Sequence, residues 1–420
     1  MKITLITIGT HGDVRPYVAL GKGLSEAGFD VCVATHEVFR HFVERYGLRF
    51  HPVQGNPREV LESAVGQDLM GSGTSILKFF KSFRSAAEKD MYDGFTDCYE
   101  AAKDADAIIF PFFVAGVAYQ IARKVGCKTI MGYLQPTVPT AEFPVLMLPR
   151  VYLGGFLNHL SHRSAEWVFW QFFRETVERW SREVLSLSPP PRMQGPFKAL
   201  ERQSLVLMGY SKHLVPPPHD WKNRVHVTGF WLLPEGEQYQ PADHLERFLT
   251  LRPKPLYIGF GSMAEKEAVQ LHQDILTMLE HTGQRAVIMA GWSRLKNEGV
   301  SENVYHLEKV PHDWLFPRVS LVVHHGGAGT TATAAQAGVP QIIVPFFGDQ
   351  PFWAQRIFGI QAGPRPIPRR DLSSLRLQQA VTQTLHHPRY AENAHKLGQL
   401  LQEEDGVGNA VALIQRFLEV

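Results

Sequence analysis

Residues 321–350 read LVVHHGGAGTTATAAQAGVPQIIVPFFGDQ, and this stretch decides the fold of the second half of the chain. An apolar run is followed by a glycine-rich turn, by a helix-forming run of small residues, and by a second apolar run. Strands of a parallel sheet that are buried on both faces read as such continuous runs. The order strand, turn, helix, strand therefore predicts one unit of a doubly wound α/β domain.

The same alternation recurs along the chain. It opens with the apolar run KITLITIG, and a helix is predicted over residues 16–28, because Pro16 suits a first turn and Gly28 suits a C-terminal cap. Proline-rich segments indicate a linker near residues 233–241. We predict an α/β protein with two Rossmann-like doubly wound domains that face each other across a cleft, with no internal sequence repeat. Their predicted bounds are residues 1–235 and 236–405, with a closing amphipathic helix over 406–420 that is able to cross back to the first domain.

The composition is typical of a soluble globular protein. The 420 residues include 43 basic and 41 acidic side chains, a formal net charge of +2, and this balance argues against a nucleic-acid partner. Three cysteines without CxxC spacing favour a reducing compartment, with neither disulfide nor zinc. The sequence has no signal-peptide pattern, and the most apolar run, residues 107–122, is short and broken by Pro111. We expect a cytoplasmic protein.

The glycine-rich turn after LVVHH has the chemistry of an anion site. Gly326, Gly327 and Gly329 allow a ligand to approach the backbone closely. The first amides of the following helix and its dipole favour a negative charge. His325 can donate a hydrogen bond to a phosphate oxygen. A tight turn with a core histidine is the structural alternative.

The segment FFGDQ extends this hypothesis to a sugar. It ends the next predicted strand, so Asp349 and Gln350 are expected at the same edge of the sheet as His325. A carboxylate beside an amide offers acceptors and donors to vicinal sugar hydroxyls. A third turn, GFGSM, places Ser262 where it could contact a second phosphate oxygen.

These motifs carry a resemblance to a known family. VPHDWLFPRVSLVVHHGGAGTT and AGVPQIIVPFFGDQPFWAQR resemble the nucleotide-sugar signature of family 1 glycosyltransferases, which have the GT-B fold. VPHDWLF and PFFGDQ are most similar to the sterol 3-beta-glucosyltransferase branch. The opening TIGTHGDVRPYVALGKGLSEAGFDV is similar to the N-terminal signature of the same group. The resemblance covers both halves and is weak over residues 60–200.

The resemblance implies roles for individual residues. A glutamate that grips the ribose in many members is replaced here by Thr333, as it tends to be in the sterol branch. The implied donor-phosphate contacts are His325, Ser262, Gly327, Gly329 and Thr330. The implied hexose contacts are Asp349 and Gln350, and the base and ribose contacts are Val310, His312 and Gly261.

Inverting sugar transfer needs a base for the acceptor hydroxyl. The resemblance assigns this role to Asp13 of GTHGDVRP, with His11 as the second candidate; a simple helix-capping role for Asp13 is the structural alternative. No acidic motif of metal-dependent transferases is present, so we expect neither a metal nor a cofactor. The similarity to the sterol branch implies UDP-glucose as co-substrate.

The expected acceptor is large, apolar and hydroxylated. The aromatic segments ILKFFKSF and AEWVFWQFFRETVERW fall where the acceptor should bind, although helically spaced aromatics are also typical of a core. A sterol, terpenoid or polyketide fits this composition. Contact with a membrane that dissolves the acceptor fits it as well.

Three other functions compete with a sterol glucosyltransferase. An antibiotic, polyketide or glycolipid transferase would use a dTDP- or UDP-sugar on the same fold. A sugar-nucleotide-binding protein would keep the donor site without catalysis. A nicotinamide-dependent oxidoreductase would show GxGxxG after the first strand, which GTHGDVRP lacks. The sequence leaves the acceptor, the sugar, the oligomeric state and the extent of domain closure open.

Overall fold

A computed structural model describes residues 1–56, 76–148, 151–193, 195–221, 223–260, 265–289 and 302–419. The chain divides into two compact units. Unit 1 comprises Met1–Lys212, Pro216–Leu233 and Asp405–Val420, and unit 2 comprises His213–Val215 and Pro234–Glu404.

Unit 1 is built on a seven-stranded parallel sheet within the described residues, in the order β3-β2-β1-β4-β5-β6-β7. This order reverses beside β1, as in doubly wound sheets. The strands are β1 (Lys2–Ile6), β2 (Asp30–His36), β3 (Arg49–Val53), β4 (Ala107–Phe110), β5 (Lys128–Tyr133), β6 (Leu205–Met208) and β7 (Val225–Val227). The helices are α1 (His11–Glu26), α2 (Arg40–Glu44), α3 (Ile76–Ala102), α4 (Ala115–Val125), α5 (Gly155–Glu183) and α6 (Phe197–Gln203), with 3₁₀ turns at Glu37–Phe39 and Phe112–Val114.

Unit 2 has a five-stranded parallel sheet in its described residues, in the order β10-β9-β8-β11-β12. The strands are β8 (Leu256–Gly259), β9 (Ala286–Met289), β10 (Val304–Leu307), β11 (Leu321–His324) and β12 (Gln341–Ile343). The helices are α7 (Asp243–Thr250), α8 (Glu265–Thr282), α9 (His312–Leu315), α10 (Ala328–Gln336), α11 (Gln350–Ile360), α12 (Ser374–His386) and α13 (Pro388–Gln402), with 3₁₀ turns at Gly236–Gln238, Phe316–Arg318 and Arg369–Asp371.

The last helix, α14 (Gly406–Glu419), belongs to unit 1. Its apolar side chains, Ile414 among them, are buried in the same core cluster as Leu5 of β1 and Leu20 of α1. Gly23 of α1 permits this close packing, since a Cβ there would collide with the Val407 side chain. The chain therefore ends as part of the core of the unit in which it begins.

The first helix differs from the sequence prediction. It begins at His11 rather than at Pro16, so one and a half turns precede the proline. The carboxylate of Asp13 accepts hydrogen bonds from the backbone N–H and the hydroxyl of Thr10, at 2.8 and 3.0 Å. These bonds form a capping arrangement that stabilises the additional turn, and they bring Asp13 onto the helix.

Both faces of the unit 2 sheet are covered. Leu256 and Ile258 of β8 pack into one hydrophobic cluster, whereas Tyr257 between them packs into the cluster on the opposite face. This accounts for the continuous apolar runs in the sequence and confirms the predicted α/β class. Helices in the described ranges do not combine the length and apolar character that crossing a bilayer requires.

Candidate active site

His36, the last residue of β2, supports the turn between β1 and α1 through a hydrogen bond. The backbone N–H of Gly9 donates to Nε2 of His36 at 3.3 Å, and the opposite nitrogen, Nδ1, lies 3.3 Å from the carbonyl oxygen of Val53. The imidazole is 4% exposed, and burial lowers its pKa, which favours the neutral tautomer that accepts from Gly9. Sequence reasoning missed His36, because a histidine at a strand end carries no motif.

The Asp13 side chain occupies the space beside Gly9 that a larger residue at position 9 would need. Gly9 has φ +131°, and a Cβ at this position would lie 2.5 Å from Oδ2 of Asp13. The same Oδ2 accepts both hydrogen bonds from Thr10. The half-buried Asp13 carboxylate is therefore held in place by the glycine turn and by the start of the helix.

The resemblance implies that Asp13 is the base, and on that expectation replacing Gly9 with alanine should lower kcat about a hundredfold, because a displaced reacting group costs about that much. The matched control is Gly28→Ala, which also has positive φ but has no atom within 4 Å of the added Cβ. Both variants should lose stability, measured as Tm, and only Gly9→Ala should lose kcat at unchanged donor KM. Equal kcat values in the two variants would show that the fit between Gly9 and Asp13 is irrelevant to activity.

Asp13 lines a small, partly open pocket of unit 1. Among the described lining residues, Asp13 is the charged one, Thr7 and Gln135 are polar, and most of the others are aromatic or aliphatic. Tyr17 is fully buried and donates its hydroxyl to the Gly132 carbonyl at 2.5 Å, and burial raises its pKa, so it stays neutral. The lining residues are Thr7, Ile8, Asp13, Tyr17, Pro111, Phe112, Phe113, Tyr133, Leu134 and Gln135.

An aromatic cluster extends from this pocket towards α5. The Phe112 ring stacks on Phe197 at 5.0 Å and contacts Phe169 at 4.9 Å, while Phe113 is largely exposed. Phe112 and Phe113 belong to the run IIFPFFVAG, in which β4 ends. This run contributes apolar surface beside Asp13, and it contains no acidic residue.

His11, the other candidate base, is placed differently from Asp13. It is the first residue of α1, its side chain is exposed, and its ring packs at 4.8 Å from the ring of Phe42 and at 6.2 Å from that of Phe39. The pocket lining contains Asp13 and not His11. This geometry favours Asp13 for a reaction inside the pocket.

In unit 2, the two adjacent histidines at the end of β11 have separate roles. His324 is fully buried, accepts the Gly326 N–H at Nδ1 (3.1 Å) and contacts Oε1 of Gln341 through Nε2 (2.9 Å). Burial lowers the pKa of His324 to about 3, so it is a neutral structural residue. Its contacts shape the turn that carries His325.

His325 lies over the start of α10. Its Nε2 is 2.7 Å from the position that a Cβ on Gly327 would occupy, so the glycine leaves room for the imidazole. Its buried Nδ1 has no hydrogen bond of normal geometry to the described residues. Burial lowers the pKa of His325 to about 4, and the nearby Gly259 backbone opposes this shift. The ring is neutral at physiological pH.

The start of α10 suits an anion. Gly327 is the N-cap, Gly329 is exposed with open space around it, and Thr330 is partly exposed in the first turn. The unpaired amides of a first turn and the helix dipole attract negative charge. Thr333 stands where many family members have the ribose-binding glutamate. It donates its hydroxyl to the Gly329 carbonyl at 2.9 Å, so its side chain stabilises α10 itself.

The FFGDQ loop adjoins this turn. A Cβ on Gly326, which has φ +92°, would lie 2.6 Å from Cγ2 of Ile343 and 3.3 Å from the Gln350 carbonyl oxygen. Gln350 is 6% exposed, and its Oε1 accepts the amides of Phe346 and Phe347 at 2.8 and 3.2 Å. Its side-chain carbonyl therefore folds the loop, which sequence reasoning did not foresee.

Asp349 immediately precedes the helix that follows this loop. Its Oδ2 accepts the indole N–H of the buried Trp353 at 2.8 Å, and the residue is the N-cap of α11. The carboxylate is half-buried at the same edge of the sheet as His325, as the sequence predicted for strand ends.

The two predicted nucleobase contacts, Val310 and His312, lie in different environments. Val310 is buried in a core cluster of unit 2, whereas His312 is partly exposed, stacks on Phe316 at 4.6 Å and contacts the Tyr257 hydroxyl through Nε2 at 3.1 Å. Gly261 and Ser262 lie outside the described residues. Groups of three or more metal-ligating side chains are absent from the described part of the chain.

Solved structures of antibiotic glycosyltransferases share this fold. CalG4, the calicheamicin glycosyltransferase, aligns over 100% of this chain and 98% of its own, with a TM-score of 0.72 at 15% identity. Glycosyltransferase VinC, in complex with DTDP, aligns over 100% of both chains with a TM-score of 0.64 at 17% identity. Likeness at this level of identity shows the fold alone, and it confirms the predicted GT-B fold.

Two family profiles match parts of the sequence. The glycosyltransferase family 28 N-terminal domain matches residues 3–94, and the erythromycin biosynthesis protein CIII-like C-terminal domain matches residues 277–404. The first covers the Asp13 turn and the second covers the His325 turn and the FFGDQ loop. The fold together with these profile matches indicates the glycosyltransferase class.

Sequence relatives narrow this class. Sterol 3-beta-glucosyltransferase UGT80B1 of Arabidopsis thaliana is 37% identical over 100% of this chain and 68% of its own length. UGT80A2 of the same plant is 36% identical over 98% and 64%, and the Candida albicans sterol 3-beta-glucosyltransferase is 34% identical over 99% and 28%. The chain thus spans 64% of UGT80A2 and 28% of the Candida relative. It belongs to the sterol 3-beta-glucosyltransferase family, which confirms the predicted resemblance.

Proposed function

We propose that the chain transfers glucose from UDP-glucose to a hydroxyl of a sterol or a similarly large apolar acceptor, with inversion at the anomeric carbon. The observation that carries this proposal is the placement of Asp13, a fixed carboxylate at a pocket lined mainly by aromatic and aliphatic side chains. The names of the family relatives support the sterol and the glucose.

The proposed donor site is the strand-end edge of unit 2. The diphosphate would be held by the first amides of α10 around Gly329 and Thr330, and by Nε2–H of His325. Asp349 is the proposed hexose contact. Gln350 would act through the loop, because its carbonyl already holds the Phe346 and Phe347 amides. His312, stacked on Phe316, is the proposed contact for the nucleobase.

The proposed reaction is a single displacement. The acceptor oxygen attacks C1 of the sugar while Asp13 takes the hydroxyl proton, so a new C1–O bond forms. The bond from C1 to the diphosphate oxygen breaks, and the leaving nucleoside diphosphate keeps the electron pair. Donors that face the departing oxygens stabilise the charge that develops there. Neither a metal nor a cofactor enters this scheme.

Transfer assays on the purified protein test the proposal. UDP-glucose and dTDP-glucose are each combined with a sterol, a flavonoid and a macrolide, and glycoside formation is followed by chromatography and mass spectrometry. The proposal expects sterol glucoside from UDP-glucose, with the β configuration that inversion of an α-linked donor gives. Macrolide glycosylation from the dTDP-sugar alone would favour the antibiotic-type transferase. Donor binding without transfer to any acceptor would favour a sugar-nucleotide-binding protein.

A further inference from the structure

Helices α5 and α6 are joined by a partly buried ionic cluster. The guanidinium of Arg163 on α5 donates two hydrogen bonds to the carboxylate of Glu201 on α6, at 2.6 and 2.9 Å. Its Nη1 also donates to Glu166, one turn further along α5, at 2.9 Å. The Glu166 side chain is 10% exposed, and those of Arg163 and Glu201 are each 27% exposed. We call these three residues the Arg163 cluster.

The cluster lies beside the aromatic side chains that support one wall of the Asp13 pocket. Phe169 follows Glu166 by three residues on α5, and Phe197 precedes Glu201 by four residues on α6. Residues at these spacings are neighbours on one face of a helix. Both rings contact Phe112 of the pocket lining, at 4.9 and 5.0 Å. The ionic cluster and the contacts of Phe112 therefore involve the same faces of α5 and α6.

Tyr133 is a second connection between the cluster and the pocket. It lines the pocket, is 4% exposed, and its ring lies 6.0 Å from that of Phe112. Burial raises the pKa of Tyr133, and the charges of Glu166 and Glu201 act in the same direction. Electrostatic influence decreases with distance, so both carboxylates lie near this wall of the pocket.

The cluster defines a geometry more than it adds stability. Burial raises the pKa of Glu166 to about 7, although the positive charges of Arg163 and Lys198 oppose this shift. A buried ion pair gains little net stability, because desolvation of the charges offsets their attraction. The planar fork of an arginine on a carboxylate, in contrast, fixes the distance and the orientation of the two groups. The contact between Arg163 and Glu201 thus sets how α6 lies against α5.

We propose that Arg163 and Glu201 are positioning residues for the acceptor. Their paired hydrogen bonds hold α6 against α5, and with it the aromatic contacts that fix Phe112 at the pocket wall. Glu166 keeps the Arg163 side chain directed at Glu201. The cluster thereby sets the affinity for the apolar acceptor without touching the reacting atoms. This inference rests on the proposed function, because it takes the Asp13 pocket as the acceptor site.

Steady-state kinetics with UDP-glucose and detergent-dissolved cholesterol test the inference in Glu201→Gln and Arg163→Lys. The first variant removes the negative charge of the pair, and the second keeps the positive charge but loses the planar fork. Each should raise the acceptor KM about tenfold, within the range for coupling through packed side chains and ion pairs. The donor KM, and kcat at saturating acceptor, should stay within about threefold of wild type, because the contacts to the donor and the reacting atoms are unchanged.

Glu178→Gln is the matched control on the same helix. The Glu178 side chain is 9% exposed and accepts hydrogen bonds from Arg174 at 3.2 Å and from Arg182 at 3.3 Å, all within α5. This variant weakens a buried ionic contact and leaves the contact between α5 and α6 intact. Its Tm should fall as in the cluster variants, and its acceptor KM should equal that of wild type. A purely structural role of the cluster would predict the same kinetics in all three variants.

Equilibrium binding of cholesterol gives a readout that does not depend on transfer, and Kd should rise about tenfold in Glu201→Gln and Arg163→Lys but not in Glu178→Gln. Unchanged Kd and acceptor KM in Glu201→Gln, or an equal rise in Glu178→Gln, would overturn the inference. So would an Arg163→Lys variant that matches wild type, since charge alone would then suffice, or wild type that binds no cholesterol. Wild type that binds cholesterol and transfers no glucose to it would contradict the proposed function, and the Kd values would still decide the role of the cluster.

Discussion

Replacing Asp13 with asparagine is expected to lower kcat for glycosyl transfer about a thousandfold, the scale of losing a general base. Asparagine keeps the size of the side chain and can still accept from Thr10 through its carbonyl oxygen, so the turn around Gly9 remains filled. It cannot take a proton from the acceptor. The donor KM and the affinity for UDP should stay within about threefold of wild type, because Asp13 lies in unit 1 and the proposed donor contacts lie in unit 2.

Two controls separate catalysis from helix capping. Asp97→Asn alters another unit 1 carboxylate that accepts a backbone amide, from Gln54 at 2.8 Å, and it should retain full kcat. Asp13→Asn is expected to cost about 1 kcal/mol of stability as a weakened cap, which the Tm of the two variants measures. Substantial activity in Asp13→Asn combined with its loss in His11→Ala would assign the base to His11.

The sequence was sufficient to predict the architecture. Parallel strands buried on both faces must be apolar throughout, and the glycine turns must lie at strand ends, so the runs around Leu5 and Val323 identified the two sheets. The start of α1 was missed, because Pro16 is a strong first-turn signal and the capping bonds between Thr10 and Asp13 are visible only in three dimensions.

Prediction of the site was less complete, because spacing in sequence does not fix side-chain direction. His324 and His325 are adjacent, and which of them faces the helix start depends on the hydrogen bonds of His324 to Gly326 and Gln341. Gln350 carries the expected residue type, but its carbonyl is committed to the loop. His36 supports Gly9 from a strand more than twenty residues away, a relation that only the β1–β2 pairing creates.

Helix α5 illustrates the same limit. The sequence left core packing and acceptor binding open for the run AEWVFWQFFRETVERW, and Phe169 and Trp170 of that run are buried. The exposed apolar side chains lie mostly before it. Helical periodicity marks two faces, and only packing decides which face is turned inward.

Replacing His325 with alanine is expected to lower kcat/KM for the donor by about a hundredfold to a thousandfold, the cost of losing one donor to a developing anion. The matched control is His306→Gln on β10, another unit 2 histidine whose pKa is lowered by burial. Donor kinetics and UDP affinity by calorimetry should change in His325→Ala and remain near wild type in the control. The core around β11 should tolerate the change, since His324 carries the structural bonds of the turn.

The pH dependence of UDP affinity gives a second readout of the same residue. In the free protein the pKa of His325 is about 4, and a diphosphate beside the ring raises it, because opposite charge favours the protonated form. The imidazole should therefore favour binding as the pH falls from 8 to about 5, whereas protonation of UDP itself, which removes negative charge, acts in the opposite direction. His325→Ala should retain only the slope that belongs to the ligand. Identical slopes in the two proteins would mean that the imidazole does not meet the phosphate, and the donor site would then depend on α10 and its dipole.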